Sequence, residues 1–295
     1  MHTATYYIDL LLSGITVGSL YALIAIGYTM VYGILRLINF AHGDIFMMSG
    51  FFMIYVSATL PMAVSIPVVL LMTVLLGVLI ERAAYKPLRS APRMSVMISA
   101  IGVSYLLQNL ATYITGGLAR PYPEIPFLKK SFAVGSLNIK IITLLTPVLT
   151  ILLVISLVIF IKHTKTGMAM RAVSKDFDTA RLMGIKVNSV ITVTFIIGSF
   201  LAGVGSILYF TNYGQVSPTI GAMPGLKAFV AAVFGGIGSI PGAVLGAYII
   251  GVCESLIKAN DSIAIFSNAF TFALLIVVLL FKPNGMFGEK LTEKV

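Results

Sequence analysis

The stretch IITLLTPVLTILLVISLVIFI, residues 141–161, contains no charged side chain along its whole length. A helix of about 20 apolar residues crosses the bilayer core, so this stretch predicts a membrane-spanning helix. Further apolar runs lie on both sides of it, at about 8–32, 45–60, 63–80, 94–115, 190–210 and 263–281. The sequence therefore predicts a polytopic membrane protein of the all-α class.

The composition of the 295-residue chain supports the same conclusion. Hydrophobic residues make up 58% of it and charged residues only 10%, whereas soluble domains are about 45–50% apolar and about 25% charged. Mean hydropathy is +1.02, so the apolar character is not confined to one anchor. The single cysteine, Cys253, excludes a disulfide scaffold.

The net charge of +10 is concentrated in short loops rather than along a stripe that would follow nucleic-acid phosphates. The loops at 81–93 and 162–189 hold ten of the 20 Lys and Arg residues, which predicts that both are cytoplasmic. The two apolar runs between them then place the loop at 116–140 on the extracytoplasmic side. The same count puts the N-terminus outside, and the lysines of the C-terminal tail put that end in the cytoplasm.

The segment GGIGSIPG, residues 235–242, separates two short apolar pieces, the second at about 243–253. Each piece is too short to span, and irregular backbone at membrane depth must line a cavity or be buried in protein. We therefore predict a broken, re-entrant hairpin that enters and leaves on the outer side, within about eight transmembrane segments in all. Gly235, Gly236 and Gly238 are candidate substrate-pathway residues, because helix breaks expose termini that bind small solutes. Close helix packing is the alternative.

A second interruption, INFAHGD at residues 38–44, places an amide, an imidazole and a carboxylate between two apolar runs. Ionisable groups at membrane depth usually line a pathway, which makes Asn39, His42 and Asp44 candidate substrate-pathway residues. The alternative is a turn whose polar groups satisfy freed backbone. No second cluster of His, Cys, Asp or Glu completes a metal site, and no nucleotide-binding or catalytic motif is visible. We therefore predict no metal, no cofactor, no catalytic residues and no enzyme activity.

The segment SKDFDTARLMG, residues 174–184, predicts a short surface helix between two spans. Ser174 is suited to the N-cap and Gly184 to the C-terminal stop. Asp176 and Asp178 suit the first turn, where the helix dipole favours carboxylates. This helix is either an ordinary capped connector or a docking helix that passes motion from a soluble partner to the spans.

Three motifs occur in order along the chain: INFAHGD, the AxLMGI of the cytoplasmic loop and GGIGSIPGAVLGA. Taken together, they resemble the permease subunits of ABC importers for branched-chain amino acids, of the LivH type. The likeness covers essentially the whole chain and keeps the motifs in order. It implies one transmembrane permease domain over 1–295, located in a bacterial inner membrane. It also implies a second, LivM-like permease, two cytoplasmic ATP-binding subunits and an extracytoplasmic solute-binding protein as partners. It assigns ATPase coupling to the loop at 162–189, at the residues Asp176, Asp178, Ala180, Arg181, Leu182, Met183 and Gly184.

The function implied by this resemblance is inward transport of branched-chain amino acids, or of a related small amino acid or amide. Transport would proceed by alternating access, powered by the partner ATPases. An ion- or proton-coupled secondary transporter is the alternative, and it is expected to carry several intramembrane carboxylates for coupling. Only Asp44 and Glu254 qualify in this sequence, which favours the ABC importer.

Overall fold

The computed structural model describes residues 4–89, 91–134, 137–282 and 284–287, so the end of the C-terminal tail, with two of its lysines, lies outside the described residues. In chain order the helices are α1 (Ala4–Leu35), α2 (His42–Ser57), α3 (Met62–Ile80), α4 (Arg93–Thr115), α5 (Pro126–Lys129), α6 (Ile141–His163), α7 (Lys165–Lys175), α8 (Phe177–Leu182), α9 (Val187–Tyr213), α10 (Ala222–Gly235), α11 (Ile240–Lys258), α12 (Asp261–Ala264) and α13 (Ser267–Phe281). The strands are β1 (Arg120–Pro121), β2 (Ser131–Val134), β3 (Leu137–Lys140) and β4 (Gln215–Val216). A π-helical turn, Glu81–Tyr85, directly continues α3.

Six of these helices, α1, α3, α4, α6, α9 and α11, are long and apolar enough to cross a membrane by length and composition. Helices α2, α10 and α13 are shorter, with 16, 14 and 15 residues. The prediction of an all-α, polytopic protein is confirmed. The expectation that residues 243–253 are too short to span is wrong, because α11 has 19 residues. Ser239 caps this helix by accepting a hydrogen bond from the Gly242 amide at 3.2 Å, so α11 begins before the apolar piece does.

The bundle has two distinct ends. At one, which we call the basic end, α1 and α6 finish, α4 and α9 begin, and the charged helices α7 and α8 pack beside them. At the other, the hairpin end, β2 and β3 form an antiparallel ladder that pairs Ser131 with Lys140. The strand β1 pairs with β4 there, with Arg120 opposite Val216. The loops predicted to be cytoplasmic and the loop predicted to be extracytoplasmic therefore lie at opposite ends of the bundle.

Helices α1 to α4 and helices α9 to α13 form two similar sets that run in opposite directions. In each set a long helix, α1 or α9, leads into a short helix, α2 or α10, and then into a span, α3 or α11. The contacts repeat as well, since α1 packs against α11 and α10 while α9 packs against α3 and α2. This is an inverted repeat, in which broken helices meet inside the membrane.

Glycines permit the closest helix contacts in this bundle. Gly14 and Gly18 of α1 face α11, and a Cβ on Gly18 would lie 2.8 Å from the Cα of Tyr248. A Cβ on Gly251 of α11 would in turn overlap the backbone of Gly18. Because lipid provides no hydrophobic drive between helices, such backbone approach is a main source of packing energy in the membrane.

The glycine-rich break between α10 and α11 lies at the basic end. Gly238 lies beside Gly33, close to the end of α1, and the Gly238 amide faces the Thr29 hydroxyl at 3.5 Å. At the same end, the Met286 amide donates to the Phe234 carbonyl at 2.9 Å, so the segment after α13 contacts the last turn of α10. This is the end that carries the loops predicted to be cytoplasmic, so the prediction of a hairpin on the outer side is wrong. Helix α10 instead runs to the basic end, and α11 crosses back.

Candidate functional site

The two short helices α2 and α10 touch at their N-termini inside the bundle. A Cβ on Gly43, the second residue of α2, would lie 2.6 Å from the carbonyl oxygen of Gly221, which precedes α10. A Cβ on Gly225, in the first turn of α10, would lie 2.9 Å from the Cα of Gly43. Only glycine permits this approach, so the crossing point joins the two inverted halves. The sequence contains a signal for this contact, because Gly221 and Gly225 have small-xxx-small spacing, but this pair was not used to predict it.

Asn39 connects the segment before α2 to the end of α3. Its side chain is buried, and its Oδ1 accepts a hydrogen bond from the Tyr85 hydroxyl at 2.7 Å. Tyr85 is the last residue of the π-helical turn. The Nδ2 atom of Asn39 is buried and has no partner in the part of the chain that the structure describes, where the tyrosine supplies the one hydrogen bond that the side-chain amide makes.

His42 fills space that two glycines leave open between α1 and α9. The residue is 2% exposed. A Cβ on Gly27 would overlap its Nε2 atom, and a Cβ on Gly198 would lie 3.7 Å from its Cε1 atom. The Tyr28 ring meets it edge-on, with ring centroids 4.9 Å apart. No described residue forms a hydrogen bond with its Nε2 atom. The imidazole therefore packs the start of α2 against both long helices.

Asp44 connects α2 to α4. Its Oδ1 accepts a hydrogen bond from Nε2 of Gln108 at 3.0 Å, and Gln108 also donates to the hydroxyl of Ser104 at 3.2 Å. The carboxylate is buried, and a buried carboxylate is costly without such donors. Asp44 thus fixes the rotation of α2 against α4.

The candidate pathway residues do not form one cluster. The three polar residues of INFAHGD contact different neighbours of α2, whereas Gly235, Gly236 and Gly238 lie at the basic end. Gly236 and Gly238 have φ angles of 103° and 101°, a conformation that suits glycine and reverses the chain between α10 and α11. The structure therefore brings together the start of α2 and the start of α10, not INFAHGD and the glycine-rich break.

A buried ionic network joins α1, α10 and α11. Nζ of Lys227 and Nζ of Lys258 both lie 2.6 Å from Oε1 of Glu254, and the Tyr21 hydroxyl donates to Oε2 at 2.8 Å. Lys227 and Glu254 are buried, whereas Lys258 is about half exposed. Glu254 was recognised from the sequence as an intramembrane carboxylate, whereas Lys227 was not predicted. Lys227 is the only charged residue between 187 and 253, which is the signal that identifies it.

Helix α8 is the short surface helix predicted within 174–184, with a different N-cap. Ser174 lies in the last turn of α7, and the prediction that it caps the helix is wrong. The cap is Asp176, whose carboxylate accepts hydrogen bonds from the amides of Asp178 and Thr179 at 2.9 and 3.0 Å. An aspartate satisfies the same free amides as a serine does, and here it stands directly before the helix.

The far end of α8 presents an apolar tip to the surroundings. Leu182 is 87% exposed and Met183 is 79% exposed, whereas Ala180 is buried against the bundle. Arg181 is exposed on the same turn. Gly184 has a φ of 80° and ends the helix, as its sequence position predicts. The residues predicted to act in coupling therefore form one compact projection at the basic end.

The loop after the π-helical turn is fixed to α9. The Arg89 guanidinium forms an ion pair with Glu81 and donates to the side-chain oxygen of Asn188. The other oxygen of Glu81 accepts from the Thr192 hydroxyl at 3.1 Å. Burial lowers the pKa of Arg89, and the charge of Glu81 opposes that shift.

The described residues contain no group of three or more His, Cys, Asp or Glu side chains able to hold a metal ion.

An all-α bundle with an inverted repeat, broken helices and a projecting basic end defines a membrane transport protein. Residues 10–279 match the family described as branched-chain amino acid transport system, permease component, and the chain belongs to this family. It is a transport component and not an enzyme.

The chain is similar to several permeases over almost its whole length. It is 41% identical to the high-affinity branched-chain amino acid transport system permease protein BraD of Pseudomonas aeruginosa, over 98% of both chains. It is 40% identical to the corresponding permease protein LivH of Escherichia coli K12, again over 98% of both. The ribose import permease protein RbsC of Haemophilus influenzae is 25% identical over 97% of this chain and 88% of its own. No solved structure matches the chain.

Proposed function

We propose that the chain is a membrane-spanning permease of an ABC importer that moves branched-chain amino acids into the cell. Its relatives BraD and LivH, named for high-affinity branched-chain amino acid transport, support this solute class. A related small amino acid or amide is the second choice of solute. Separate ATPase subunits supply the energy, and the two inverted halves allow access to alternate between the two sides.

The basic end faces the cytoplasm in this proposal. Loops 81–93 and 162–189 hold ten Lys and Arg residues, and positive loops stay on the cytoplasmic side. The N-terminus and the hairpin end then lie outside the inner membrane of a bacterium, and the C-terminus lies inside. Loop 116–140, which forms the hairpin end, is in position to receive a solute-binding protein.

The apolar tip of α8 is the observation that carries the coupling proposal. Leu182 and Met183 are exposed at the end of a charged segment, and an exposed apolar group rimmed by polar residues marks a contact with a partner. Arg181 adds a charge next to this tip. We assign the segment 176–184 to contact with an ATP-binding subunit, which moves α8 and, through α7 and α9, the spans.

The polar residues at the start of α2 act in the pathway by positioning it. Asn39, His42 and Asp44 connect α2 to α3, to α1 and α9, and to α4, so they set where its N-terminus meets that of α10. The glycine-rich break at 235–242 gives α10 and α11 a flexible joint at the cytoplasmic end. Access alternates, in this proposal, by a change in how the two halves meet.

Co-purification from the native host is the experiment that tests this function. The tagged chain is expected to bring with it two ATP-binding subunits and a second permease. The double variant Leu182→Asp/Met183→Asp is expected to lower recovery of the ATP-binding subunits at least tenfold. Its own yield should stay unchanged, because both side chains are exposed.

A matched control is Leu118→Asp, which places a charge at an apolar position, 67% exposed, at the hairpin end. It is expected to leave recovery of the ATP-binding subunits unchanged. Normal recovery with the Leu182/Met183 variant would contradict the coupling role of α8. Leucine uptake by the purified chain alone in proteoliposomes, without ATPase or binding protein, would overturn the ABC proposal and favour a secondary transporter.

A further inference from the structure

A cavity of about 570 Å³ lies at the basic end, beneath α8. Its walls come from the segment after α1, the loop between the π-helical turn and α4, and the first turns of α4, α8 and α9. Four arginines line it, Arg36, Arg89, Arg93 and Arg181, together with a single carboxylate, Asp178. The volume is within the range of sites that hold small ligands, about 300–1,000 Å³.

The described residues do not balance the charge of this cavity. Arg89 is paired with Glu81, but no carboxylate of the described chain lies within ion-pair distance of the other three arginines. Counting Glu81 and Asp178 together, positive charges exceed negative ones by two. The Nε atom of Arg89 is also buried and has no hydrogen-bond partner among the described residues. Planar guanidinium groups bind phosphate and carboxylate oxygens in pairs, so this arrangement favours an anion.

The position of the cavity favours an anion that carries an apolar part. Leu35 ends α1, Arg93 begins α4 and Val187 begins α9, so the cavity lies where three spans leave the membrane. Aliphatic side chains such as Val96 and Ile191 form the rest of its wall. Basic pockets between transmembrane helices at the cytoplasmic face are typical sites for acidic lipid headgroups.

Two features connect the cavity to the coupling segment. Arg36 has a φ of 56°, which is unusual for a residue other than glycine, and its guanidinium donates to the carbonyl of Ser174 at 3.3 Å. Phe177, Asp178 and Arg181 turn one face of α8 to the cavity. The two exposed side chains at the tip of α8, Leu182 and Met183, do not line the cavity, so a ligand there leaves them accessible to a protein partner.

We propose that this cavity binds the phosphate group of an anionic phospholipid from the cytoplasmic leaflet, and that the bound lipid braces α8 against the bundle. The arginines hold the headgroup phosphate, and the aliphatic wall receives the start of an acyl chain. Coupling between the ATP-binding subunits and the spans then depends on acidic lipid. The proposal goes beyond the transport function, and the lipid-binding test below needs neither solute nor partner subunits.

The test is lipid retention by the purified chain, measured by native mass spectrometry. The chain in mild detergent is mixed with phosphatidylglycerol or with phosphatidylcholine of the same acyl chains, and separately with inorganic phosphate. Phosphatidylglycerol should bind at least tenfold more tightly than phosphatidylcholine, and free phosphate should bind far more weakly than the lipid. Equal binding of the two lipids would overturn the proposal, and binding of phosphate as tight as that of phosphatidylglycerol would reject the lipid as the ligand.

Variants locate the site. Arg93→Gln/Arg181→Gln removes two exposed cavity arginines and should weaken phosphatidylglycerol binding roughly thirtyfold, by the usual contribution of two basic residues near acidic lipid. Arg82→Gln/Lys86→Gln is the matched control, because both residues are exposed at the same end and lie outside the cavity. It should leave binding within about twofold of the native chain. Equal losses in the two double variants would show that binding depends on the overall positive charge of this end, and would overturn the cavity assignment. The Arg93→Lys/Arg181→Lys variant keeps both positive charges but lacks the planar guanidinium groups, so it should bind phosphatidylglycerol more tightly than the glutamine variant and less tightly than the native chain.

Discussion

Nζ of Lys227 lies 2.6 Å from Oε1 of Glu254, and both side chains are buried among α1, α10 and α11. The two residues depend on each other unequally. Glu254 also forms an ion pair with Nζ of Lys258 at 2.6 Å, and its Oε2 accepts a hydrogen bond from the Tyr21 hydroxyl at 2.8 Å. Lys227 forms no ion pair except that with Glu254 within the described chain, although it also lies over the Tyr21 ring at 6.0 Å. Removal of the carboxylate therefore costs more than removal of either ammonium group.

Glu254→Gln should lower the stability of the bundle by about 3–5 kcal/mol, because it leaves the buried charge of Lys227 uncompensated. Lys258→Met should cost less than about 1 kcal/mol, since Lys258 is half exposed and its pairing is screened. Lys227→Met should fall between them, as Glu254 keeps two partners. The measurement is the fraction of chain that remains monodisperse in size-exclusion chromatography after heating in detergent. Equal losses in the Glu254 and Lys258 variants would contradict the unequal dependence.

Gly27→Ala should destabilise the chain by about 1–3 kcal/mol, because the new methyl group overlaps Nε2 of His42 in a packed interior. Gly102→Ala is the matched control. A Cβ at Gly102 of α4 meets nothing within 4 Å, so this change should be neutral or stabilising by up to about 1 kcal/mol.

A double-mutant cycle separates this steric effect from a general loss of helix packing. The variant Gly27→Ala/His42→Ala should be more stable than the sum of the two single losses, by at least about 1 kcal/mol, because truncation of the imidazole makes room for the methyl group. The same heating assay reports all four members of the cycle. Strict additivity would show that the two residues do not share one space.

Tyr85→Phe should destabilise the chain by about 1–3 kcal/mol. It removes the hydroxyl that donates to Oδ1 of Asn39, whose Nδ2 has no partner among the described residues, and so leaves the buried amide without a hydrogen bond to them. Tyr113→Phe serves as the control, because Tyr113 is 87% exposed, and its effect should stay within about 0.5 kcal/mol. Thermal unfolding of both variants checks this, and equal stability would contradict the anchoring role of Tyr85.

Single cysteines should report the orientation of the bundle. Replacement of the only native cysteine by Cys253→Ser provides the background, and Leu182→Cys and Leu118→Cys place thiols at exposed positions on opposite ends. In intact spheroplasts a membrane-impermeant maleimide should label the Leu118 position and not the Leu182 position. Lysis should expose the second thiol. The reverse pattern would place the basic end outside.

Much of the architecture was predictable because the signal for a membrane span is local. The apolar run at 141–161 became α6, Ile141–His163, and the run at 94–115 became α4, Arg93–Thr115. Hydrogen bonds within a helix satisfy its own backbone, so length and hydropathy are enough to identify a span. The end of α8 was predictable for a similar reason, since Gly184 takes a positive φ that favours glycine.

The partners of the polar residues were not predictable in this way. Nothing near Asp44 in the sequence indicates Gln108, and nothing near Glu254 indicates Tyr21, because these residues meet only when distant helices pack. The prediction that the glycine-rich break belongs to a hairpin on the outer side was wrong for the same reason. Its neighbours, Thr29 and Gly33, lie about 200 residues earlier in the chain.

The sequence by itself determined that this chain lies in a membrane, where five of its six long apolar helices lie, and which of its loops carry positive charge. It also carried motifs that place it among branched-chain amino acid permeases. Only the tertiary structure decided that α2 and α10 meet at Gly43 and Gly221, that Lys227 is neutralised by Glu254, and that four arginines surround one cavity. The physical reason is range: hydropathy and capping act within a helix, whereas glycine contacts and buried ion pairs require helices that only the folded bundle brings together.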